Sequence, residues 1–241
     1  MKKEDALWGA ALGLVIAGLL FPGTHDPIMH ATKLHPFLMG FCKFAILASM
    51  GELLAIRIMN GNWSVPRGMA YRFLVWGIMG VCLVEMFAVF AAGVSTTLQN
   101  GLLPGSRGDT SHLATALWTS VLLNVAFGPL LMAGHRFADT YLDLAQGRLR
   151  NLGTISLAQV SAKMDWEGFI GFVCLRTIPL FWIPAHTITF LLPQEYRILY
   201  AAFLSLALGI ILAFAKRSKA VEASSEKRPL YIEANVAEDP V

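Results

Sequence analysis

The chain is 241 residues long, only 15% charged and 56% hydrophobic, with a formal net charge of +3. A soluble domain carries about 25% charged residues, so this composition points away from water and towards a membrane. The mild basic balance, with no basic run interleaved with aromatics, excludes nucleic acid as a partner. The isolated Cys42, Cys82 and Cys174 supply neither a disulfide framework nor a metal-ligand spacing.

A helix needs about 20 mostly apolar residues to cross ~30 Å of hydrocarbon. In chain order the stretches that qualify are Ala6–Pro22, Pro36–Met59, Ala70–Val94, His112–Gly134, Gly168–Leu192 and Tyr196–Ala215. They are apolar all round rather than alternating, which excludes barrel strands. The expected fold is therefore all-α: a polytopic transmembrane bundle, with six spans and both termini cytoplasmic. It divides into an N-terminal anchor helix and outer loop (1–35), the bundle (36–215) and a disordered cytoplasmic tail (216–241), polar from Ser218 on. Lys2 and Lys3 before the first apolar run resemble a signal peptide. The run ends Leu19-Leu20-Phe21-Pro22 without a small-residue cleavage site, so a retained anchor is expected and a cleaved signal is the alternative.

The basic residues set the orientation. Six spans place Lys2, Lys3, Arg57, Arg67, Arg72, Arg136, Arg148, Arg150, Lys163, Lys216, Arg217, Lys219, Lys227 and Arg228 on one side, and only Lys33, Arg107 and Arg197 on the other. The positive-inside rule makes the first side cytoplasmic. On that side His135–Glu167 is the longest loop. Phe137, Tyr141, Leu144 and Leu149 recur there at near-helical spacing, as in a helix that continues the fourth span and then lies along the interface; a solvated helical hairpin is the alternative. On the outer side His25, His30 and His35 recur five apart, which does not place them on one helical face, so no metal and no cofactor is expected.

Four charges fall inside spans: Lys43, Glu52, Glu85 and Arg176. Each costs a few kcal/mol in hydrocarbon and needs a partner or water. At ~1.5 Å per residue, Lys43 and Glu85 lie roughly 10–13 Å from the outer face, and Glu52 and Arg176 roughly 10–12 Å from the inner face. The expectation is an outer Lys43–Glu85 pair that His186 joins, an inner Glu52–Arg176 pair, and Asn124 between the layers. Such pairs either specify helix packing or line a hydrated path. Pro179 and Pro184 interrupt the fifth span and are expected to kink it. No motif pairs a nucleophile with a base, so an enzyme is not expected.

Several short motifs carry a resemblance. His35-Pro36 is followed by Gly51-Glu52, and Leu122-Leu123-Asn124 leads to Phe127-Gly128-Pro129. Phe181-Trp182-Ile183-Pro184-Ala185 then precedes Pro193-Gln194-Glu195-Tyr196-Arg197. In order and approximate spacing these resemble the Mpv-seventeen/peroxisomal-membrane-protein-twenty-two family, from about Lys33 to Phe214. Glu52 stands where that family has Asp, Thr189-Phe190 where it has Asn-Phe, and Met86-Phe87 where it has Trp-Tyr. The Pro184-to-Pro193 distance is also shorter, and Ala6–Pro22 is an addition to the family core. The resemblance implies a multi-helix protein of organelle or bacterial membranes, with Pro36, Gly51, Glu52, Asn124, Pro129, Trp182, Pro184, Pro193, Tyr196 and Arg197 at family positions. It also implies a weakly selective channel for small solutes or ions. A non-conducting structural or assembly factor is the alternative. The partners this leaves are the lipid bilayer, small solutes or ions, and a second copy of the chain. With no Arg- and Ser-rich transit peptide, a bacterial cytoplasmic membrane is favoured over an organelle membrane.

Overall fold

A computed structural model of the chain describes residues 2–105 and 111–226. Among these residues there is no strand. The first helix, α1 (Lys3–Leu20), is followed by α2 (Pro22–Leu34) at a bend of 79°. The bend has a local cause. Phe21 precedes a proline, which pushes it out of the helical region, and its backbone is extended at φ −68°, ψ 123°. Pro22 then opens α2, where its missing N–H costs nothing. The carbonyls orphaned at the end of α1 are bonded by side chains from α2. Thr24 Oγ1 donates to the Gly18 carbonyl (2.6 Å), and His25 Nδ1 lies 2.8 Å from the Leu19 carbonyl. Residues expected in an outer loop are thus a helix, because Pro22 nucleates it and Thr24 and His25 satisfy the joint.

The helix α3 (Pro36–Asn60) runs antiparallel to α1. Asp5 of α1 accepts from Arg57 Nε near the end of α3 (2.8 Å), and Trp8 Nε1 donates to the Met50 carbonyl (3.2 Å). Leu12 and Val15 pack against the core, so α1 covers one flank of the bundle. Next come α4 (Met69–Gln99), α5 (Ser111–Leu122), a π-helical turn over Leu123–Phe127, and α6 (Gly128–Leu144). Three short helices follow, α7 (Leu149–Leu152), α8 (Leu157–Lys163) and α9 (Trp166–Gly168). A second π-helical segment (Phe169–Trp182), α10 (Ile183–Leu191) and α11 (Gln194–Glu226) complete the chain. Five of these helices or continuous runs are long and apolar enough to cross a membrane, and the bent α1–α2 pair raises the number to six. This all-α bundle of apolar helices is the build of an integral membrane protein. The expected helix beyond the fourth span is present as far as Leu144, and the Tyr141 hydroxyl ties it to the Leu152 carbonyl (2.6 Å). The last helix continues past 215 to Glu226, so residues 216–226 are helical where a disordered tail was expected. Residues 227–241 of that tail lie outside the described residues.

Close approach of backbones holds the centre. With no hydrophobic force between helices in lipid, small residues at the contacts let van der Waals packing take over. A Cβ placed on Gly40 of α3 would sit 3.1 Å from the Gly80 carbonyl oxygen of α4, and one on Gly51 would sit 2.9 Å from Leu206 Cα of α11. Phe44, Leu47, Leu83, Phe87, Leu123 and Phe190 fill the core between these helices. The proline-rich fifth span widens rather than simply kinking. Its Ile183 N–H reaches back to the Ile178 carbonyl, as Gly128 N–H reaches back to Leu123. A proline lacks the N–H that would close the regular ladder, and a five-residue reach with Thr177 Oγ1 donating to the Phe172 carbonyl (3.0 Å) bonds carbonyls left over.

Candidate functional site

Three polar stations lie along the bundle, named here by the side to which the positive-inside rule assigns them. The inner station joins three helices through one guanidinium. Arg72, near the start of α4, is buried. Its Nη1 lies 3.0 Å from Glu52 Oε1 on α3 and 2.9 Å from Asp139 Oδ1 on α6, while Nη2 lies 2.6 Å from Asp143 Oδ1. Trp76 Nε1 donates to the other Glu52 oxygen (3.1 Å), and its ring centroid stands 4.0 Å from that of His135. His135 Nδ1 is 3.5 Å from Asp139 Oδ2. A planar guanidinium carries five donors in a fixed fork, which is how one cation can serve carboxylates from two neighbouring helices.

The central station is a pair. Asn124 sits on the first π-helical turn and His186 on α10, and both are buried. The Asn124 amide faces His186 Nδ1, with its nitrogen at 3.0 Å and its oxygen at 3.2 Å, so either imidazole tautomer finds a partner. Asn124 Nδ2 also donates to the Ser120 carbonyl (2.8 Å), and Ser120 Oγ donates to the Ile183 carbonyl (2.7 Å), which binds α5 to α10. Phe87 meets the His186 ring edge-on at 5.5 Å, and Trp182 lies 5.1 Å from it. Beside the pair is a cavity of about 40 Å³, walled by Phe44, Trp76, Leu83 and Leu123, onto which the buried Trp182 also faces. The Trp182 indole N–H has no acceptor among the described residues.

The outer station is a pocket of about 460 Å³ between α3, α4 and the start of α11, with residues of α2 at its rim. Lys43 is buried in its wall and donates through Nζ to Thr32 Oγ1 of α2 (2.8 Å). Lys33 pairs with Glu195 (3.2 Å), and Arg197 donates to the carbonyls of Leu192 (3.0 Å) and Phe190 (3.2 Å) at the end of α10. His25 Nε2 and the Tyr196 hydroxyl, 3.1 Å apart, join α2 to α11 beside it.

These positions correct both expected pairs. Glu52 pairs with Arg72, not with Arg176, and Lys43 bonds Thr32 rather than Glu85. Glu85 and Arg176 lie on exposed faces of their helices and make no ion pair among the described residues. Depth along a span was readable, but direction around the helix axis was not, and depth alone pairs charges that point apart. Arg72 was misplaced for a different reason. Its position near the mouth of a span reads as a loop cation, yet its long side chain turns into the bundle. Asn124 and His186 meet each other instead of lying in separate layers. The chain did carry a sign of the missed carboxylates: His135, Asp139 and Asp143 recur four residues apart, which aligns them on one helix face. Among the family-motif residues, Gly51 serves the close contact with α11. Pro36 and Pro129 open α3 and α6, and Pro184 opens α10. Pro193 stands between α10 and α11. Comparison with known protein families, with curated proteins and with solved structures finds no match for this chain.

Proposed function

We propose that this protein is a weakly selective channel or pore for small solutes or ions, held closed in the arrangement described. The observation that carries the reading is the succession of three polar stations along one bundle, an outer pocket, a central cavity and an inner cluster. The outer pocket shares Phe87 with the surroundings of His186, and the central cavity shares Trp76 with the inner station. Polar groups placed in sequence through a bundle, separated by apolar side chains, are how pores select and gate. Phe44, Leu83 and Phe87 form the apolar barrier between the pocket and the cavity. A cavity of about 40 Å³ admits waters but no larger solute, so conduction requires these rings to move. The resemblance to the Mpv-seventeen/peroxisomal-membrane-protein-twenty-two family, whose members belong to organelle or bacterial membranes, points the same way. The purified chain in planar bilayers is expected to give discrete currents, which Phe87→Ala enlarges; silence at every voltage and pH overturns the reading.

One observation favours a second reading, a non-conducting structural or assembly factor. Arg72 fastens α3, α4 and α6 together, as a purely architectural device would. Silent bilayers together with strong destabilisation by Arg72 variants select that reading.

A further inference from the structure

Buried cations normally face a carboxylate, because an ammonium in a low-dielectric setting costs several kcal/mol unless it is compensated. Lys43 breaks this pattern. It is only 6% exposed, yet among the described residues its one partner is the neutral hydroxyl of Thr32. An ammonium has three donors, so two remain for whatever occupies the pocket that Lys43 lines. The surroundings add positive charge. Lys33, Lys43 and Arg197 line the pocket against a single carboxylate, Glu195, which already pairs with Lys33. Arg197 is fixed by two backbone carbonyls, which orient the guanidinium without neutralising it, and several of its N–H donors stay unused. Helix ends of both signs meet at the pocket, the starts of α3 and α11 at Pro36 and Gln194 and the last turn of α2 at Thr32 and Lys33, so its positive balance rests on the side chains.

We infer that the outer pocket binds a phosphate group, with Lys43 as its buried anchor and Arg197 as its second donor. The volume of about 460 Å³ falls within the range of roughly 300–1,000 Å³ typical of small-molecule sites. The carbon-rich part of the pocket, from Gly40, Val84, Phe87 and Ile198, suits the apolar body that would carry such a group. The phosphate is supplied either by a dissolved small anion or by the headgroup of an outer-leaflet lipid; the chemistry at Lys43 is the same. The inference concerns binding and holds whether or not the chain conducts.

The test uses the full chain in a neutral detergent, with thermal unfolding as the readout at matched ionic strength. One arm titrates inorganic phosphate against chloride. The other titrates short-chain phosphatidic acid against the matching diacylglycerol. Saturable stabilisation by phosphate identifies a dissolved anion as the ligand. Stabilisation by phosphatidic acid alone identifies a lipid headgroup. In either case Lys43→Gln is expected to weaken binding at least about tenfold and Lys43→Arg to retain most of it. If the glutamine variant does not fold, Ala88→Phe, which fills the pocket and leaves every charge in place, is expected to abolish binding. The inference is overturned if neither ligand stabilises the protein beyond its control. It is equally overturned if stabilisation survives in both Lys43→Gln and Ala88→Phe.

Discussion

The two ends of this bundle each bury a cation, and they treat it in opposite ways. At the inner end Arg72 is met by Glu52, Asp139 and Asp143, from two other helices. At the outer end Lys43 is met by one hydroxyl and an open pocket. A saturated cation is a fastener: removing it strands charges that were placed around it. An unsaturated one is a cost the fold carries with no internal return, which is the usual mark of a residue kept for something outside the chain. The difference sets the fastening contacts of Arg72 apart from the proposed binding site at Lys43.

The comparison breaks first at Arg72. Arg72→Met leaves three carboxylates close together without their cation, and a loss of roughly 3–5 kcal/mol is expected, measured by unfolding in detergent. A loss under about 1 kcal/mol would place the pairs among weak surface bridges. A double-mutant cycle between Glu52→Gln and Arg72→Met is expected to return a coupling of about 1–3 kcal/mol. The same cycle between Glu52→Gln and Arg176→Gln should be additive, since those side chains do not meet. At the central station Asn124→Ala removes the partner of His186 and the bond to the Ser120 carbonyl, at a cost of about 1–3 kcal/mol. Lys43→Met is expected to leave stability unchanged or to raise it by up to about 1 kcal/mol, because it deletes a buried charge without stranding a carboxylate. Glu85→Gln and Arg176→Gln, whose charges face outward from spans without an ion pair among the described residues, are expected not to destabilise the protein in the same measurement.

Much of the fold was legible because lipid imposes a length and a polarity that a chain must display openly. The five bundle spans and their inner cationic ends stand out in the order of residues. The site was legible only in part. Lys43, Asn124 and His186 are buried and Glu52 is half-buried, as the cost of polar groups in hydrocarbon suggests. Glu85 and Arg176, however, are exposed, and partners depend on rotation about each helix axis, which depth does not fix. That is why Glu52 reads as a partner of Arg176 and is one of Arg72. The helix at Pro22–Leu34 was hidden for another reason. Its Gly, Pro, Thr and His residues read as a loop, and the local bonds of Thr24 and His25 to the end of α1 override that propensity.

The most direct test of the functional account is the reversal potential of the reconstituted protein across a salt gradient. With Lys33, Lys43 and Arg197 facing one carboxylate at the outer mouth, the account predicts a potential on the anion-selective side of zero, which Lys43→Gln moves towards zero. A cation-selective potential, or a bilayer that stays silent at every voltage, would contradict it.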